Sequence, residues 1–265
     1  MQLEQNIRKA MQDKEILLMT HIVLGYPSFD ANRKIVAQMV ENGVDCIEMQ
    51  IPFSEPMADG PVILKANQDS LAAGTRVADC IEFGREMAAT HDIPFLFMTY
   101  YNILFKYGEE KFFDDCSKAG IQGLIIPDLP PEMGRDFLQL AKSRQVAPIF
   151  IFAPTSTPQR MAYLGKTGDG FIYCVARRGV TGKKSEFGED FSSYLATCRK
   201  STTLPIAVGF GIQDSEDVAA LKGKADIAVI GSQTIRLVDE KGVDAVGPFI
   251  AGLRQRPATP QKELR

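Results

Sequence analysis

The chain has 265 residues, 45% of them hydrophobic and 24% charged, which is the composition of a globular protein and not of a disordered or fibrous one. Its 30 basic and 33 acidic residues give a formal net charge of −3 without long blocks of one sign, which argues against sequence-independent binding to nucleic acid. The sequence has no run of about 18 apolar residues, as a membrane span would need, and residues 1–15 lack the pattern of a signal peptide, so we expect a cytoplasmic protein.

The histidines and cysteines offer little metal or disulfide chemistry. The sequence contains only two histidines, and its five cysteines are scattered without a CxxC pair. We therefore expect no metal site, and we expect reduced thiols that serve mainly as core residues. The cysteines are Cys46, Cys80, Cys116, Cys174 and Cys198.

Short apolar runs alternate with helical patterns along the whole chain. An amphipathic helix is predicted over residues 1–11, followed by eight runs whose near-continuous apolar character is typical of parallel strands buried on both faces. The runs are 16–24, 44–51, 94–101, 120–127, 147–153, 170–175, 204–208 and 226–230. The predicted helices between them are 30–41, 77–89, 109–118, 132–144, 158–165, 191–200, 215–222 and 243–253, with Asp30 and Asp214 as plausible N-terminal caps.

Eight strands alternating with eight helices indicate an α/β fold, a (β/α)8 TIM barrel in which the extra N-terminal helix covers the floor. An open, doubly wound sheet is the alternative. We expect one domain over residues 1–254 and a frayed tail over 255–265. The long connections 52–75 and 177–190 are candidate functional loops, because the loops that follow barrel strands build the active-site face.

Two carboxylates mark the connection after the second strand. Glu48 lies within an apolar run, where an ionised carboxylate is costly to bury, and Asp59 follows in a turn-forming stretch. Glu48 could simply pair with an arginine or backbone donors at the rim, and Asp59 could cap a turn. Together they could converge on one bound molecule as an acid/base pair.

Glycines follow the last two predicted strands, at Gly209, Gly211 and Gly231, with Ser232 next to the last of them. In a TIM barrel these loops often hold a phosphate group through backbone N–H groups, although glycines there can also serve only to make tight turns. The glycine-containing segment 179–182 is either a mobile lid or an ordinary loop.

Polar residues are also predicted at the ends of two further strands. Tyr100 and Asn102 follow the third apolar run, and Asp128 follows the fourth. Each of them could line the mouth of the barrel, or could serve only in packing or capping.

The stretch E-M-Q-I-P-F-S-E-P-M-A-D-G-P, from Glu48 to Pro61, closely resembles the signature of the tryptophan synthase alpha subunit family. Other motifs of that family follow in its order, and the resemblance covers about residues 1–254. They are L-G-Y-P at 24–27, M-T-Y-Y-N at 98–102, I-P-D-L-P at 126–130, R-R-G-V-T-G at 177–182, V-G-F-G-I at 208–212 and G-S at 231–232.

The resemblance implies reversible retro-aldol cleavage of indole-3-glycerol phosphate to indole and glyceraldehyde 3-phosphate, a step of tryptophan biosynthesis. By the family pattern, Glu48 is the acid/base that protonates indole C3, and Asp59 hydrogen-bonds the indole N–H. Thr181 closes its loop over Asp59, while Tyr100 and Tyr173 line the pocket. The phosphate-binding residues implied by the family are Gly182, Gly211, Gly231 and Ser232.

The resemblance also implies a partner, the tryptophan synthase beta subunit, in an alpha2-beta2 tetramer. The alpha chain itself needs no cofactor, whereas the beta subunit carries pyridoxal phosphate and receives indole through a tunnel. The surface implied to contact the beta subunit includes Glu55, Pro56, Asn102 and Asp128.

Several positions depart from the family pattern. Met49 and Gln50 replace the usual Leu-Gly, Glu55 replaces an aspartate, and His21 stands where an aromatic residue is common. Ala176 also replaces a serine. Two alternatives therefore stay open: a catalytically impaired allosteric partner of the beta subunit, and another phosphosugar barrel isomerase.

Overall fold

The computed structural model of the protein describes residues 1–175 and 189–255, along which strands and helices alternate. The strands are β1 (Leu17–Val23), β2 (Cys46–Gln50), β3 (Phe95–Met98), β4 (Gly123–Ile125), β5 (Ala147–Ile149), β6 (Ile151–Phe152), β7 (Ile172–Val175), β8 (Ile206–Gly209) and β9 (Ile227–Ile230). The helices are α1 (Gln2–Ala10), α2 (Phe29–Glu41), α3 (Pro61–Ala72), α4 (Val77–Thr90), α5 (Tyr101–Tyr107), α6 (Glu109–Lys118), α7 (Arg135–Arg144), α8 (Pro158–Thr167), α9 (Glu189–Ser201), α10 (Ser215–Leu221), α11 (Ser232–Lys241) and α12 (Val246–Leu253), with a 3-10 turn at Val243–Ala245. In these residues no helix is both long and apolar enough to cross a membrane.

The strands form one parallel sheet that closes into a barrel. Their order is β5-β4-β3-β2-β1-β9-β8-β7-β6. β5 and β6 come from the same predicted apolar run, and only Phe150 lies between them. The amide of Tyr173 donates to the carbonyl of Phe150 at 3.0 Å, so the two ends of the sheet meet. The TIM barrel expected from the sequence is confirmed, with its fifth strand divided in two.

The barrel interior is a packed core with a helical floor. Side chains alternate between the faces of each strand, so Leu17 and Met19 of β1 and Cys46 of β2 point inward. Leu3 and Ile7, spaced one helical turn apart on α1, are fully buried in the same cluster. The expected N-terminal helix therefore closes the bottom of the barrel, and the opposite end is left for a site.

The outward faces of the strands pack against the surrounding helices. Leu18 of β1, Ile47 of β2 and Phe97 of β3 belong to a second, larger cluster, together with Phe112 and Phe113 of α6. Burial on both faces explains why the strands appear in the sequence as continuous apolar runs. All five cysteines are buried as free thiols, which agrees with a role in packing.

Helices α3, α5 and α11 are absent from the sequence prediction. The prediction of residues 52–75 as one long loop is wrong, because α3 occupies half of that segment. Gly60 is its N-cap and Pro61 its first residue, a position where proline favours helix formation even though both residues also signal turns. α5 has only seven residues, and both α5 and α11 begin inside site motifs, at Tyr101 and Ser232.

The N-termini of α2 and α7 also differ from the prediction. α2 is capped by Ser28 and not by Asp30: the Ser28 hydroxyl accepts a hydrogen bond from the amide of Ala31 at 3.1 Å. Residues 132–134 belong to turns after the Pro130-Pro131 pair, so α7 starts later than predicted. Asp214 caps α10 as expected, accepting from the amides of Glu216 and Asp217 at 3.0 and 3.1 Å.

Candidate active site

Glu48 points into the barrel near the carboxyl end of β2. Glu48 is only 4% exposed, as is His21, which lies directly opposite it in the parallel ladder between β1 and β2. A 2.9 Å hydrogen bond joins Nδ1 of His21 to Oε1 of Glu48. Oε2 of Glu48 is buried and has no hydrogen-bond partner among the described residues. His21 therefore holds one carboxylate oxygen of Glu48, and the other has no hydrogen bond from the described residues.

Asp59 lies in the turn that leads into α3, where its amide donates to the carbonyl of Pro56 at 3.0 Å. Its Oδ2 accepts hydrogen bonds from Nε2 of Gln50 at 2.6 Å and from the hydroxyl of Tyr100 at 3.2 Å. Gln50 follows Glu48 by two residues on β2, so the same strand face carries Glu48 and the residue that holds Asp59. The structure thus brings the two predicted carboxylates to one mouth.

Burial and charge shift the titration of these groups. Burial raises the pKa of Asp59 above its ordinary value, an effect that the Gln50 hydrogen bond opposes. Burial, with added repulsion from Asp59, also raises the pKa of Tyr100, and the pKa of Tyr173 is raised by burial and by the charges of Glu48 and Asp59. Both tyrosines are therefore neutral hydroxyl groups at physiological pH.

The aromatic wall of the mouth comes from Tyr100, Phe53 and Tyr173. Tyr100 does not end β3, as the sequence suggested, but is the N-cap of α5. Its ring stacks on Phe53 with centroids 5.1 Å apart, and its hydroxyl accepts from the amide of Ala58 at 3.0 Å. Tyr173 of β7 reaches Gly209, where a Cβ atom would lie 3.0 Å from its hydroxyl. These contacts hold the Asp59 loop and one wall of the pocket together.

The predicted phosphate-binding residues lie at the ends of neighbouring strands. Gly211 follows β8, and Gly231 follows β9 as the N-cap of α11, whose first residue is Ser232. The amides at a helix N-terminus face outward without intrahelical partners, so they can bind an anion. Gly211 has a φ of +87°, and nothing lies within 4 Å of the position that its Cβ would take. Thr181 and Gly182 lie outside the described residues.

Three of the four predicted partner residues are exposed beside the mouth. Glu55, Asn102 and Asp128 are exposed, whereas Pro56 is buried. The Asp128 carboxylate accepts from the amide of Tyr101 at 2.9 Å, and this bond joins the loop after β4 to the start of α5. Asn102 thus lies in α5, not at the end of β3.

Exposed apolar side chains flank these predicted partner residues. Met57, Phe105 and Met133 are 84%, 70% and 80% exposed, although large apolar side chains are usually buried. A cavity of about 360 Å³ lies between residues 51–54 after β2, the connection from α3 to α4, and α5, where Asn102 lines it. These side chains and the cavity are absent from the sequence prediction.

A family model described as tryptophan synthase alpha chain matches residues 7–248. The chain belongs to this family. The alpha chain of Desulfotalea psychrophila is 69% identical over 254 residues, which is 96% of this chain and all of that protein. The alpha chain of Syntrophotalea carbinolica is 57% identical, over 95% of this chain and all of that one. Family membership confirms the resemblance seen in the sequence.

Solved structures agree with the barrel. Tryptophan synthase from Mycobacterium tuberculosis, in its aminoacrylate-bound form, superposes with a TM-score of 0.84 at 27% identity, covering 95% of this chain and 99% of that chain. The alpha subunit from Legionella pneumophila gives a TM-score of 0.87 at 26% identity, covering 96% and 97% of the two chains. The alternative of an open, doubly wound sheet is excluded.

Four further residues of the site are not predicted from the sequence as catalytic or binding residues: His21, Gln50, Phe53 and Asn67. Oδ1 of Asn67 on α3 accepts from the amide of Phe53 at 2.9 Å and so fixes the loop that carries Asp59. His21 and Gln50 were visible in the sequence only as departures from the family pattern. Their roles depend on strand register, which the sequence did not show.

Proposed function

We propose that the protein is the alpha subunit of tryptophan synthase and cleaves indole-3-glycerol phosphate to indole and glyceraldehyde 3-phosphate. The observation that carries this proposal is the pair of buried carboxylates at one barrel mouth. Glu48 has one oxygen without a protein partner in the described residues, and Asp59 is held 2.6 Å from Gln50. The same mouth offers amides at the ends of β8 and β9 for a phosphate.

Glu48 acts as the acid and then as the base. Its carboxyl group delivers a proton to indole C3, which makes this carbon tetrahedral and draws positive charge onto the ring. The bond from C3 to the glycerol carbon then breaks, and its electron pair restores the aromatic ring. The hydroxyl group on the glycerol carbon becomes the aldehyde, and its proton returns to Glu48, so the protons balance.

Asp59 stabilises the charge that appears on the ring. Its carboxylate accepts a hydrogen bond from the indole N–H, which becomes more acidic when C3 is protonated. Gln50 and Tyr100 already donate to Oδ2 of Asp59, so its position is set before substrate arrives. Burial in the mouth strengthens this interaction because water no longer screens it.

The phosphate group anchors the other end of the substrate. The amides around Gly211, Gly231 and Ser232 bind it, aided by the dipole of α11. Tyr100 and Tyr173 line the indole pocket between the two ends. Thr181 and Gly182 keep the roles implied by the family, which stay predictions.

The partner is the tryptophan synthase beta subunit in an alpha2-beta2 assembly. Glu55, Asn102 and Asp128 contribute to the face that it covers, and the exposed side chains of Met57, Phe105 and Met133 supply apolar area there. Pyridoxal phosphate belongs to the beta subunit, and the reaction of this chain requires none. Free buried cysteines suit the reducing cytoplasm, where we place the reaction.

The test is the release of glyceraldehyde 3-phosphate from indole-3-glycerol phosphate by the purified chain, with and without a tryptophan synthase beta subunit. We expect slow release by the chain alone and faster release with the partner, which completes the loops around Asp59. Absence of cleavage in both samples, together with a faster beta reaction, would instead identify an allosteric partner that has lost the chemistry. Cleavage of a different phosphosugar would identify another barrel enzyme.

A further inference from the structure

His21 lies in a buried polar cluster together with the two proposed catalytic carboxylates. His21 and Glu48 are each 4% exposed, and Gln50 is fully buried. Closer to α1, the inward-facing residues of the barrel are apolar. Polar groups are costly to bury without hydrogen bonds, so such a cluster needs an explanation. Neither His21 nor Gln50 contacts substrate in the mechanism above.

Strand register fixes the contact between His21 and Glu48. The two residues are direct partners in the parallel ladder of β1 and β2, so two buried strands set their separation. The 2.9 Å bond from Nδ1 to Oε1 uses one oxygen of Glu48 and leaves Oε2 without a partner in the described part of the chain. A carboxylate held through one oxygen presents the other in a defined direction.

Gln50 extends the cluster toward Asp59. Its Nε2 donates to Oδ2 of Asp59 at 2.6 Å, while its Oε1, like Nε2 of His21, is buried without a hydrogen-bond partner among the described residues. Two hydrogen-bonded pairs, His21–Glu48 and Gln50–Asp59, therefore involve the same inward face of β1 and β2. The two buried atoms without a partner among the described residues, Nε2 of His21 and Oε1 of Gln50, belong to side chains on this face.

We propose that His21 is a positioning residue for Glu48: its Nδ1 fixes Oε1, directs Oε2 toward indole C3, and lets the imidazole and the carboxyl group hold one proton between them. This inference rests on the lyase function proposed above. During cleavage the shared proton passes from the pair to C3, and the proton of the substrate hydroxyl group returns to the pair. No other proton donor or acceptor is required.

The charges around His21 favour a retained proton. Burial alone would lower the pKa of His21, but the charge and hydrogen bond of Glu48 raise it, with further contributions from Asp59 and Gln50, so the pKa lies above 6.5. From the other strands and loops that face the site, Tyr100 and Tyr173 contribute neutral hydroxyl groups, because their pKa values are raised. The Glu48 carboxylate therefore favours the protonated imidazole and outweighs the opposing effect of burial.

Kinetics of three variants test the proposal. His21→Phe removes the hydrogen bond and should lower kcat at least 10-fold, with KM within about 3-fold because the phosphate anchor is intact. His21→Asn keeps a donor near the position of Nδ1 but cannot be protonated. It should recover most of kcat at its optimum, while the alkaline limb of the pH profile moves to lower pH. His91→Asn, at the other histidine, is the control and should match the wild type.

A folded His21→Phe variant with wild-type kcat and pH profile would overturn the proposal. Because the chain has only two histidines, their ring signals can be assigned by NMR with the His91→Asn variant, without substrate or turnover. We expect Glu48→Gln to lower the pKa of His21, and an unchanged value would also overturn the proposal. This readout stands even if His21→Phe does not fold, and it separates failure here from failure of the lyase assignment.

Discussion

At the residue scale, the two carboxylates of the mouth differ in what surrounds them. Glu48 lies on a strand, where a histidine holds one of its oxygens at 2.9 Å. Asp59 lies on a turn, where Gln50 and Tyr100 donate to one oxygen and burial raises its pKa. A different environment for each carboxylate is what separate proton-transfer and charge-stabilising roles require.

Replacing Asp59 by asparagine should lower kcat about 100-fold to 1,000-fold, in the usual range for a group that acts in the transition state. The carboxamide keeps the shape of the side chain but cannot offset positive charge on the indole ring. Initial-rate measurements of glyceraldehyde 3-phosphate release would show this. A variant within 3-fold of the wild-type kcat would contradict the role of Asp59.

The same variant should change how stability depends on pH. The pKa of Asp59 is raised in the folded state. The contribution of Asp59 to stability is therefore present below its unfolded-state pKa of about 3.9 and is lost as pH rises through its folded-state pKa. The free energy of unfolding of the wild type, relative to Asp59→Asn, should therefore fall as pH rises from 4 toward 7. Urea titrations measure it, with Asp13→Asn at an exposed turn as the charge control.

At the element scale, the site is built where strands end and helices begin. β2 carries Glu48, α3 begins one residue after Gly60, and α11 begins with Ser232. The sequence predicted the strands and the glycines that follow them, because continuous apolar runs and turn residues are local signals. It did not predict α3, α5 or α11, because proline, glycine and short length masked helices whose stability comes from packing on the barrel.

Gly211→Asp and Gly223→Asp form a matched pair that tests the phosphate site. Both glycines have positive φ, +87° and +74°, and neither has an atom within 4 Å of its Cβ position, so the backbone strain is comparable. Only Gly211 follows β8 at the proposed phosphate site. We expect Gly211→Asp to raise KM at least 10-fold by bringing negative charge to the phosphate, and Gly223→Asp to leave KM within 2-fold. Equal KM values for the two variants would refute the phosphate site.

Strand register is the part of the site that the sequence could not supply. Glu48 and Asp59 could be predicted because a carboxylate within an apolar run and an aspartate in a turn motif can be recognised from the sequence alone. The contacts of His21 with Glu48 and of Gln50 with Asp59 depend on how β1 lies beside β2 and on how the loop folds back. Neither contact produces a local sequence pattern, so in the sequence both residues stand out only as departures from the family pattern.

At the scale of the whole molecule, the apolar interior that stabilises the barrel and the candidate active site lie at opposite ends. α1 and the apolar interior close one end, and the polar cluster with its glycine loops opens at the other. The eight apolar runs were enough to predict this architecture, since a parallel barrel repeats one simple unit. The exposed partner face could not be predicted in the same way, because exposure of Phe105 or Met133 depends on which side of a short helix or turn faces outward.

Phe105→Ala should weaken binding to a tryptophan synthase beta subunit by at least 10-fold, or about 1.4 kcal/mol. Phe105 is 70% exposed on α5, three residues after Asn102, so truncation costs little stability in the isolated chain but removes apolar contact area in the complex. Tyr163→Ala, at an exposed aromatic residue on α8, is the control and should keep wild-type affinity. Calorimetric titration measures both. If Phe105→Ala and Tyr163→Ala bind the beta subunit with equal affinity, α5 is not part of the partner surface.

The central claim is that Glu48 transfers the proton that breaks the carbon–carbon bond. The most direct measurement is kcat and KM for glyceraldehyde 3-phosphate release by Glu48→Gln beside the wild type. We predict a fall in kcat of about 1,000-fold with KM within 3-fold, because glutamine keeps the shape and the phosphate anchor but has no proton to exchange. A folded Glu48→Gln variant with wild-type kcat would contradict the mechanism.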